Sequence, residues 1–307
     1  MTYDIAFPNL GIYINTLRNN IHIPVIGRTI YVYGIVIALA MLVGFLSVTF
    51  IAKSKNQNVD NYYDLILYII IFGILGARAY YVIFNWSYYE IRTHEILAIN
   101  KGGLAIFGGI IAGFIVLAIF CLRRKINFIE LADTSVCGLA IGQAIGRWGN
   151  FFNMEAFGTY TNNLFAMRMK YDYVVNNGID ISHTMNMITE NGISYIQAHP
   201  TFLYESFFSL ILFIILVVLI TKYYKFKGEI LATYLIGYGL IRFFIEGLRT
   251  DSLMFMNTNI KVSQVVAILC VVIGVLIYVF NLTKLKTIVL DLFDNIKNKI
   301  KNTIKKQ

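Results

Sequence analysis

Seven long apolar runs constrain the fold of this chain more than any other feature. They cover residues 30–52, 65–84, 104–122, 134–152, 202–220, 230–248 and 262–282. Each run is close to the roughly 20 residues that an α-helix needs to cross the hydrocarbon core of a bilayer. Helices satisfy their backbone polar groups internally, which lipid requires. We therefore expect an all-α integral membrane protein, a bundle of about seven transmembrane helices.

The composition supports a membrane protein and argues against several other classes. Of the 307 residues, 58% are hydrophobic and 14% are charged, whereas a soluble domain is about half apolar and a quarter charged. The net charge of +9 lies in short loops and the tail, as expected beside anionic lipid, and it predicts no nucleic-acid partner. Cys121, Cys137 and Cys270 lie in separate apolar runs without metal-ligand spacing, so we expect core packing and no metal site.

The segments outside the apolar runs predict the remaining organisation. Residues 1–29 are mixed and Asn-rich and lack the features of a cleaved signal peptide, so we expect a surface segment. Residues 30–282 form the predicted transmembrane domain, with the polar stretch 155–200 as a small head on one face. Residues 283–307 place apolar side chains at helical spacing between lysines, which predicts a basic amphipathic helix on the inner leaflet or, alternatively, a partner-binding helix.

The distribution of lysine and arginine predicts the orientation. Loops 53–60, 123–130 and 222–229 together with the tail carry 15 basic residues, and the segments on the other side carry 8. Because basic residues accumulate on the cytoplasmic side, we expect the tail inside and both the amino terminus and the head outside.

One stretch, residues 146–158 with the sequence GRWGNFFNMEAFG, places polar groups at the outgoing end of an apolar run. An ionisable group at membrane depth is costly and is by default a candidate functional group. The alternative is a helix-packing motif with one arginine that reaches the membrane surface. Other ionisable or phenolic groups fall at the same predicted depth in the outer leaflet, which favours a functional site. They are Tyr33, Arg78, Glu205, Arg242 and Glu246.

A polar stripe marks one of the later runs. Tyr238, Arg242, Glu246 and Arg249 are spaced so that they share one face of a helix. An Arg242–Glu246 ion pair within the helix would explain two of them but not the others. Two or three arginines with few compensating acids suit a phosphate, because guanidinium groups match its oxygens. We therefore expect an amphiphile with an anionic head, such as a phospholipid.

A weaker feature is the small-residue run 102–113, GGLAIFGGIIAG, which suits close helix packing or an acyl chain.

These motifs resemble those of the phosphatidylglycerol–prolipoprotein diacylglyceryl transferase family. Residues 146–158 match the family signature GRxGNFxNxExxG at every fixed position. The other matching blocks are Tyr33 with Gly34, GARAYYVIF at 76–84, HPTFLYE at 199–205 and GYGLIRFFIEGLR at 237–249. The resemblance spans most of the chain and covers the head and tail least.

The resemblance implies an enzyme that moves the diacylglyceryl group of phosphatidylglycerol onto the thiol of a lipobox cysteine in a prolipoprotein. It also implies a bacterial plasma membrane location and no metal or soluble cofactor, and we expect a monomer. We assign Arg147 and Arg242 as catalytic residues that contact the phosphate and the leaving group. The residues that we assign to substrate binding, positioning or gating are Tyr33, Arg78, Asn150, Asn153, Glu155, Gly158, Tyr238, Glu246 and Arg249.

Two positions depart from the family pattern. Phe107 lies where many members carry a histidine that has been proposed as the base, and phenylalanine cannot exchange a proton. The base is then Tyr33, Tyr238 or a water ordered by Glu155, or the arginines lower the thiol pKa sufficiently by themselves. A third alternative is lost activity, against which the intact arginine motifs argue. Phe202 replaces a common glutamine.

The rival functions are an anionic-lipid transporter and a non-catalytic assembly protein. The spans show no obvious internal repeat, and transport sites usually lie near the bilayer midplane. An assembly protein would not require Arg147 and Arg242 at matched depth.

The predicted topology can be tested by labelling single introduced cysteines in intact cells with a membrane-impermeant thiol reagent. Because of the asymmetry of 15 basic residues to 8, cysteines in residues 155–200 should react and cysteines in residues 283–307 should not. Permeabilised cells serve as the control, since both positions should then react. The reverse pattern in intact cells would contradict the outer-leaflet site.

Overall fold

The computed structural model describes residues 3–23, 27–99, 102–176, 187–255, 258 and 260–282. Within these residues, seven helices are long and apolar enough to cross a membrane, which confirms the predicted all-α membrane class. The predicted amphipathic tail, residues 283–307, lies outside the described residues. The strands are β1 (Ile5–Phe7), β2 (Ile12–Ile14), β3 (Asn20–Ile23), β4 (Arg28–Tyr31), β5 (Met167–Lys170), β6 (Met187–Glu190) and β7 (Ile193–Ala198). The helices are α1 (Val32–Ser54), α2 (Asp60–Phe84), α3 (Trp86–Tyr89), α4 (Ile106–Arg124), α5 (Phe128–Asn153), α6 (Tyr171–Asn176), α7 (Thr201–Val218), α8 (Glu229–Leu248) and α9 (Val262–Leu282).

Two of the long helices begin earlier than their apolar runs. The apolar pattern predicts starts at residues 65 and 134, whereas α2 begins at Asp60 and α5 at Phe128. Asn127 caps α5, since its Oδ1 accepts from the backbone N–H of Ile129, and Asn58 Oδ1 accepts from the backbone N–H of Asp60 in the turn that leads into α2. Such caps stabilise a polar first turn, which a search for apolar runs does not detect.

The chain forms two compact units, residues 45–135 and residues 1–44 with 136–307, and the boundaries fall inside α1 and α5. In the unit of residues 45–135, α2 and α4 pack closely through glycines. A Cβ atom on Gly76 would lie 2.8 Å from the carbonyl oxygen of Gly108, and one on Gly108 would lie 3.0 Å from the Cα atom of Ala77. The small-residue run in α4 therefore serves close helix packing, one of its two predicted uses.

In the larger unit, a five-stranded antiparallel sheet has the order β2-β1-β5-β7-β6. The sequence treats residues 1–29 and 155–200 as separate segments, but strands from both share this sheet. Ile5 in β1 lies opposite Met169 in β5, and Met169 lies opposite Ile196 in β7. All three side chains are fully buried, so the pairing buries one apolar face.

The core beneath this sheet includes the end of α5 and the start of α7. Phe151 and Met154 from the first motif and Phe202 from the HPTFLYE block pack with the sheet residues Ile5 and Met169. Phe151 and Phe202 lie with their ring centroids 5.0 Å apart. The head therefore holds the ends of two helices that carry motif residues.

The glycine contact between α2 and α4 predicts a stability difference between two variants of α4. Gly108→Ala should lower the melting temperature in detergent, because overpacking costs about 1–3 kcal/mol. Gly113→Ala is the matched control, since a Cβ there would meet no atom within 4 Å. This control should leave the melting temperature unchanged or raise it. Equal melting temperatures for the two variants would contradict the close packing.

Candidate active site

The last two turns of α5 carry three polar residues of the first motif, Arg147, Asn150 and Asn153. Arg147 Nη1 donates to Asn150 Oδ1 at 3.2 Å, and Asn150 Nδ2 donates to Glu155 Oε1 at 2.9 Å. Asn153 Nδ2 approaches the same Glu155 oxygen at 3.4 Å. The helix ends at Asn153, and Met154 and Ala156 adopt the left-handed conformation. This turn directs Glu155 back to the helix end, where the two amides hold its carboxylate.

A buried glutamate on α7 joins the first motif to α8. Glu205 is 1% exposed, and its Oε1 lies 2.8 Å from Arg147 Nη2. Its Oε2 lies 3.3 Å from Arg242 Nη1, and Tyr238 donates its hydroxyl hydrogen to Oε1 at 3.1 Å. One carboxylate therefore receives two guanidinium groups and a phenol from two other helices. The structure thus brings together the two predicted catalytic arginines.

Three of the four residues of the predicted polar stripe lie on α8, and Arg249 does not. On α8, Arg242 Nη2 lies 2.6 Å from Glu246 Oε2, the ion pair that the sequence offered as an alternative explanation. Arg249 lies past the end of the helix and binds Asp251 through two contacts of 2.9 and 2.7 Å. Burial opposes ionisation of Asp251, but the hydrogen bond and charge of Arg249 outweigh it and lower the pKa of Asp251.

The charge balance differs from the prediction. The sequence suggested arginines with few compensating acids, and this is wrong, because Glu205 binds both Arg147 and Arg242 and Glu246 binds Arg242 again. Two arginines and two glutamates give these four side chains a formal charge of zero. The physical reason is the cost of burial, since charges out of water require partners.

Gly158 has a main-chain role in the structure. Its N–H donates to the carbonyl of His199 at 2.9 Å, and the N–H of Thr159 donates to the carbonyl of Leu248 at 2.9 Å. Gly158 also forms a bridge with Arg249. A Cβ atom at Gly158 would lie 2.8 Å from His199 Cβ and 2.9 Å from the Leu248 oxygen. The position therefore requires glycine for close approach of the three motif segments.

The end of α8 receives a further contact from the start of α9. Lys261 Nζ donates to the carbonyl oxygens of Glu246 at 2.7 Å and Arg249 at 2.9 Å. A cation at a helix C-terminus satisfies free carbonyls and interacts favourably with the helix dipole. Lys261 therefore fixes the helix end that carries Glu246.

Tyr33 and Arg78 occupy different surroundings. Tyr33 lies at the start of α1, and its ring packs on Gly149 of α5. A Cβ atom on Gly149 would lie 2.8 Å from this ring. Arg78 belongs to the unit of residues 45–135 and is 4% exposed. Its guanidinium donates to the carbonyls of Glu95, Ile96, Gly102 and Gly103 at 2.6–3.0 Å. In that unit Arg78 orders the loop before α4, and its predicted contact with substrate stays a prediction.

His199 and Phe107 lie at positions where a general base could be expected. His199 Nδ1 lies 3.4 Å from the hydroxyl of Tyr204, and burial lowers the pKa of His199, which favours the neutral imidazole. Phe107 lies on α4 in the unit of residues 45–135. Tyr238 donates its hydroxyl hydrogen to the Glu205 carboxylate, so in this arrangement it is a hydrogen-bond donor and not a base.

Glu205 is the site residue to which the sequence assigned no role. Its depth and its place in HPTFLYE were both visible in the sequence. The missing signal was the direction in which it points, since depth along a helix does not tell which neighbours a side chain meets. The need of two arginines within apolar helices for an acid could have identified it.

The arrangement suits stabilisation of an anion next to lipid. A guanidinium has five N–H donors, more than the contacts of Arg147 with Asn150 and Glu205 require. The glutamates fix the guanidinium orientation in advance, which is how preorganised donors stabilise developing negative charge.

Comparison with known proteins identifies the family of this chain. The family model for prolipoprotein diacylglyceryl transferase matches residues 20–280. A phosphatidylglycerol–prolipoprotein diacylglyceryl transferase of Finegoldia magna is 40% identical over 255 residues, covering 83% of this chain and 92% of the relative. Enzymes with this name from Clostridium perfringens and Clostridium novyi are 42% and 40% identical, covering 79% and 88% of this chain and 87% and 98% of the relatives. This chain therefore belongs to the prolipoprotein diacylglyceryl transferase family.

Proposed function

We propose that this chain transfers the diacylglyceryl group of phosphatidylglycerol to the thiol of the lipobox cysteine of a prolipoprotein, forming a thioether and releasing glycerol 1-phosphate. The names of its relatives support these substrates. The observation that carries the proposal is the buried Arg147–Glu205–Arg242 contact near the ends of three apolar helices. No metal or soluble cofactor takes part in this reaction.

During the reaction, the negative charge that needs stabilisation develops on the leaving group. A C–S bond forms at the glycerol carbon, and the bond from that carbon to a phosphate oxygen breaks. The phosphate changes from a diester with one negative charge to a monoester that gains a second, and the thiol proton is released. Arg147 and Arg242 donate to the phosphate oxygens where this charge develops. Their planar guanidinium groups match those oxygens better than an ammonium would.

The acids next to the arginines act by positioning. Glu205 and Glu246 hold the guanidinium groups at contacts of 2.6–3.3 Å, so little reorganisation is needed when the phosphate arrives. Because the four side chains sum to zero charge, their effect comes from directed N–H donors rather than from excess positive charge. The hydroxyl of Tyr238 makes the third contact with the Glu205 carboxylate, beside those of the two arginines.

The other predicted site residues support this centre. Asn150 and Asn153 hold Glu155, and through Asn150 they also orient Arg147. Tyr33 positions substrate beside α5, and Arg249 gates the site from the loop after α8. Gly158 contributes by allowing the main chains to meet.

The thiol proton has no histidine acceptor at position 107. A free cysteine has a pKa near 8.5, so activation requires a base or nearby positive charge. Since Tyr238 is engaged as a donor to Glu205, the remaining candidates are Tyr33 and a water ordered by Glu155. The alternative is that the arginines themselves favour the thiolate.

The proposed orientation in the membrane rests on the charge asymmetry of the loops, and the proposed membrane on the resemblance to the family. The enzyme is a monomer of the bacterial plasma membrane, with its amino terminus and head outside and its carboxyl terminus in the cytoplasm. The lipid donor enters between helices, and the prolipoprotein arrives from the outside.

One measurement separates this enzyme from the rival transporter. Purified protein is mixed with phosphatidylglycerol and a lipobox peptide, and the release of glycerol phosphate is followed. An enzyme of this kind releases it only when the peptide carries its cysteine, so a Cys→Ser peptide is the control. Lipid movement without peptide-dependent release would favour the transporter.

Removing either predicted catalytic arginine should reduce this release strongly. Arg147→Ala and Arg242→Ala should each lower kcat/KM by about two to three decades, the scale of one preorganised donor. Arg147→Lys should recover activity only in part, because it lacks the forked guanidinium. Arg124→Ala is the control, since Arg124 forms an exposed ion pair with Asp64. Near-normal kcat/KM for Arg147→Ala would remove Arg147 from the mechanism.

The absence of a histidine at position 107 predicts a distinctive pH profile. The wild-type chain should be active, with a rate that rises as pH approaches the thiol pKa, because the thiolate is the nucleophile. Phe107→His should change this pH profile more than the maximum rate. A wild-type chain without peptide-dependent release, together with restored release in Phe107→His, would show that the histidine is obligatory.

A further inference from the structure

A second set of polar side chains lies one helical turn from the arginine cluster. Gln143 precedes Arg147 by four residues on α5, Tyr234 precedes Tyr238 by four on α8, and Ser209 follows Glu205 by four on α7. Residues four apart lie on the same helix face. On each of the three helices, the second polar residue therefore lies on the same face as the first and one turn away from it. We call Gln143, Ser209 and Tyr234 the second layer.

Part of this layer is hydrogen-bonded. Gln143 Nε2 donates to the hydroxyl of Tyr234 at 2.8 Å. The ring of Tyr234 stacks on that of Tyr238, with centroids 5.6 Å apart and an interplanar angle of 5°. Through Tyr238 the second layer therefore connects to Glu205.

Two polar atoms of the layer have no hydrogen-bond partner among the described residues. They are the hydroxyl oxygen of Ser209, which is 0% exposed, and the amide oxygen of Gln143. A buried polar group without a partner costs about 1–3 kcal/mol, and lipid offers no water to replace it. Such atoms at a predicted lipid-binding site indicate a polar group of the ligand.

The position of the layer identifies that group. Four residues correspond to about 6 Å along a helix. Arg147 and Arg242 lie near the ends of α5 and α8, so the second layer lies further toward the middle of the membrane. In a phospholipid with its phosphate at the arginines, the acyl ester carbonyls follow the phosphate in the same direction.

The hydrogen-bonding capacity of the layer fits an ester carbonyl, which is an acceptor. Ser209 can donate its hydroxyl hydrogen. A tyrosine hydroxyl both donates and accepts, so Gln143 can also meet Tyr234 through its amide oxygen, and its NH2 group then faces the layer as a donor. We propose that Ser209 and Gln143 form a subsite for the acyl ester carbonyls of the diacylglyceryl donor. This inference rests on the proposed function.

The test compares two donors that differ only at the esters. Phosphatidylglycerol with two ester-linked chains and its analogue with two ether-linked chains of equal length are presented in the same detergent micelles with a lipobox peptide. The ether analogue keeps the reacting carbon and the phosphate but lacks the carbonyls. The wild-type chain should prefer the ester donor in kcat/KM, and Ser209→Ala should reduce this preference by about three- to tenfold, the range of one neutral hydrogen bond.

Two controls separate a subsite from a change in folding. Ser206→Ala removes a hydroxyl one turn nearer the helix start that already donates to the carbonyl of Ala144 at 2.7 Å, so it should leave the donor preference unchanged. Ser209→Ala should keep or raise the melting temperature, because it deletes a buried hydroxyl without a partner.

The outcomes distinguish this inference from the function on which it rests. Equal use of both donors by the wild-type chain, or an ester preference that Ser209→Ala leaves intact, would overturn the ester subsite and keep the transferase. No peptide-dependent release from either donor would overturn the proposed function and the subsite with it.

Discussion

The arrangement of the candidate site depends on one buried carboxylate. Glu205 enters from α7 and meets Arg147 of α5 and Arg242 of α8. Removing one member of such a buried group costs about 3–5 kcal/mol, because the other charges lose their compensation. The same contact therefore stabilises the three helices against each other and fixes the direction of the two guanidinium groups. The residues that hold the helices together are therefore the same residues that are proposed to act in catalysis.

The main chain supports this carboxylate from the side of the head. Hydrogen bonds among Gly158, Thr159, His199 and Leu248 join the end of the first motif, the segment before α7 and the end of α8. Each of these segments lies at or near the end of a helix that carries one member of the cluster. The contact of Lys261 with the end of α8 adds a fourth segment. The head sheet, whose core includes Phe151 and Phe202, completes the support at the ends of α5 and α7.

The polar groups of these apolar helices lie in two layers. The first layer, at Arg147, Glu205 and Arg242, carries full charges and lies nearer the helix ends. The second layer, at Gln143, Ser209 and Tyr234, is neutral and lies deeper. This order follows the polarity of a phospholipid from its phosphate to its esters. It also follows the rising cost of charge with depth in a bilayer.

The sequence by itself determined the membrane class, the seven spans and the motifs. Those properties depend on residue type and spacing along one helix, since about 20 apolar residues span a bilayer wherever they occur. Depth was also readable, because each residue adds a fixed rise, and this placed Tyr33, Glu205 and Arg242 at one level.

Only the tertiary structure decided which groups at that level meet. Glu205 compensates both arginines, Arg249 turns to Asp251, and Gly158 serves a main-chain junction. Strands β1 and β2 of the amino-terminal segment share one sheet with the three strands of the head, because strand pairing joins residues far apart in the chain. Local patterns fix which face a residue occupies on its own element. The rotation and neighbours of that element are set by packing between helices, which no single segment encodes.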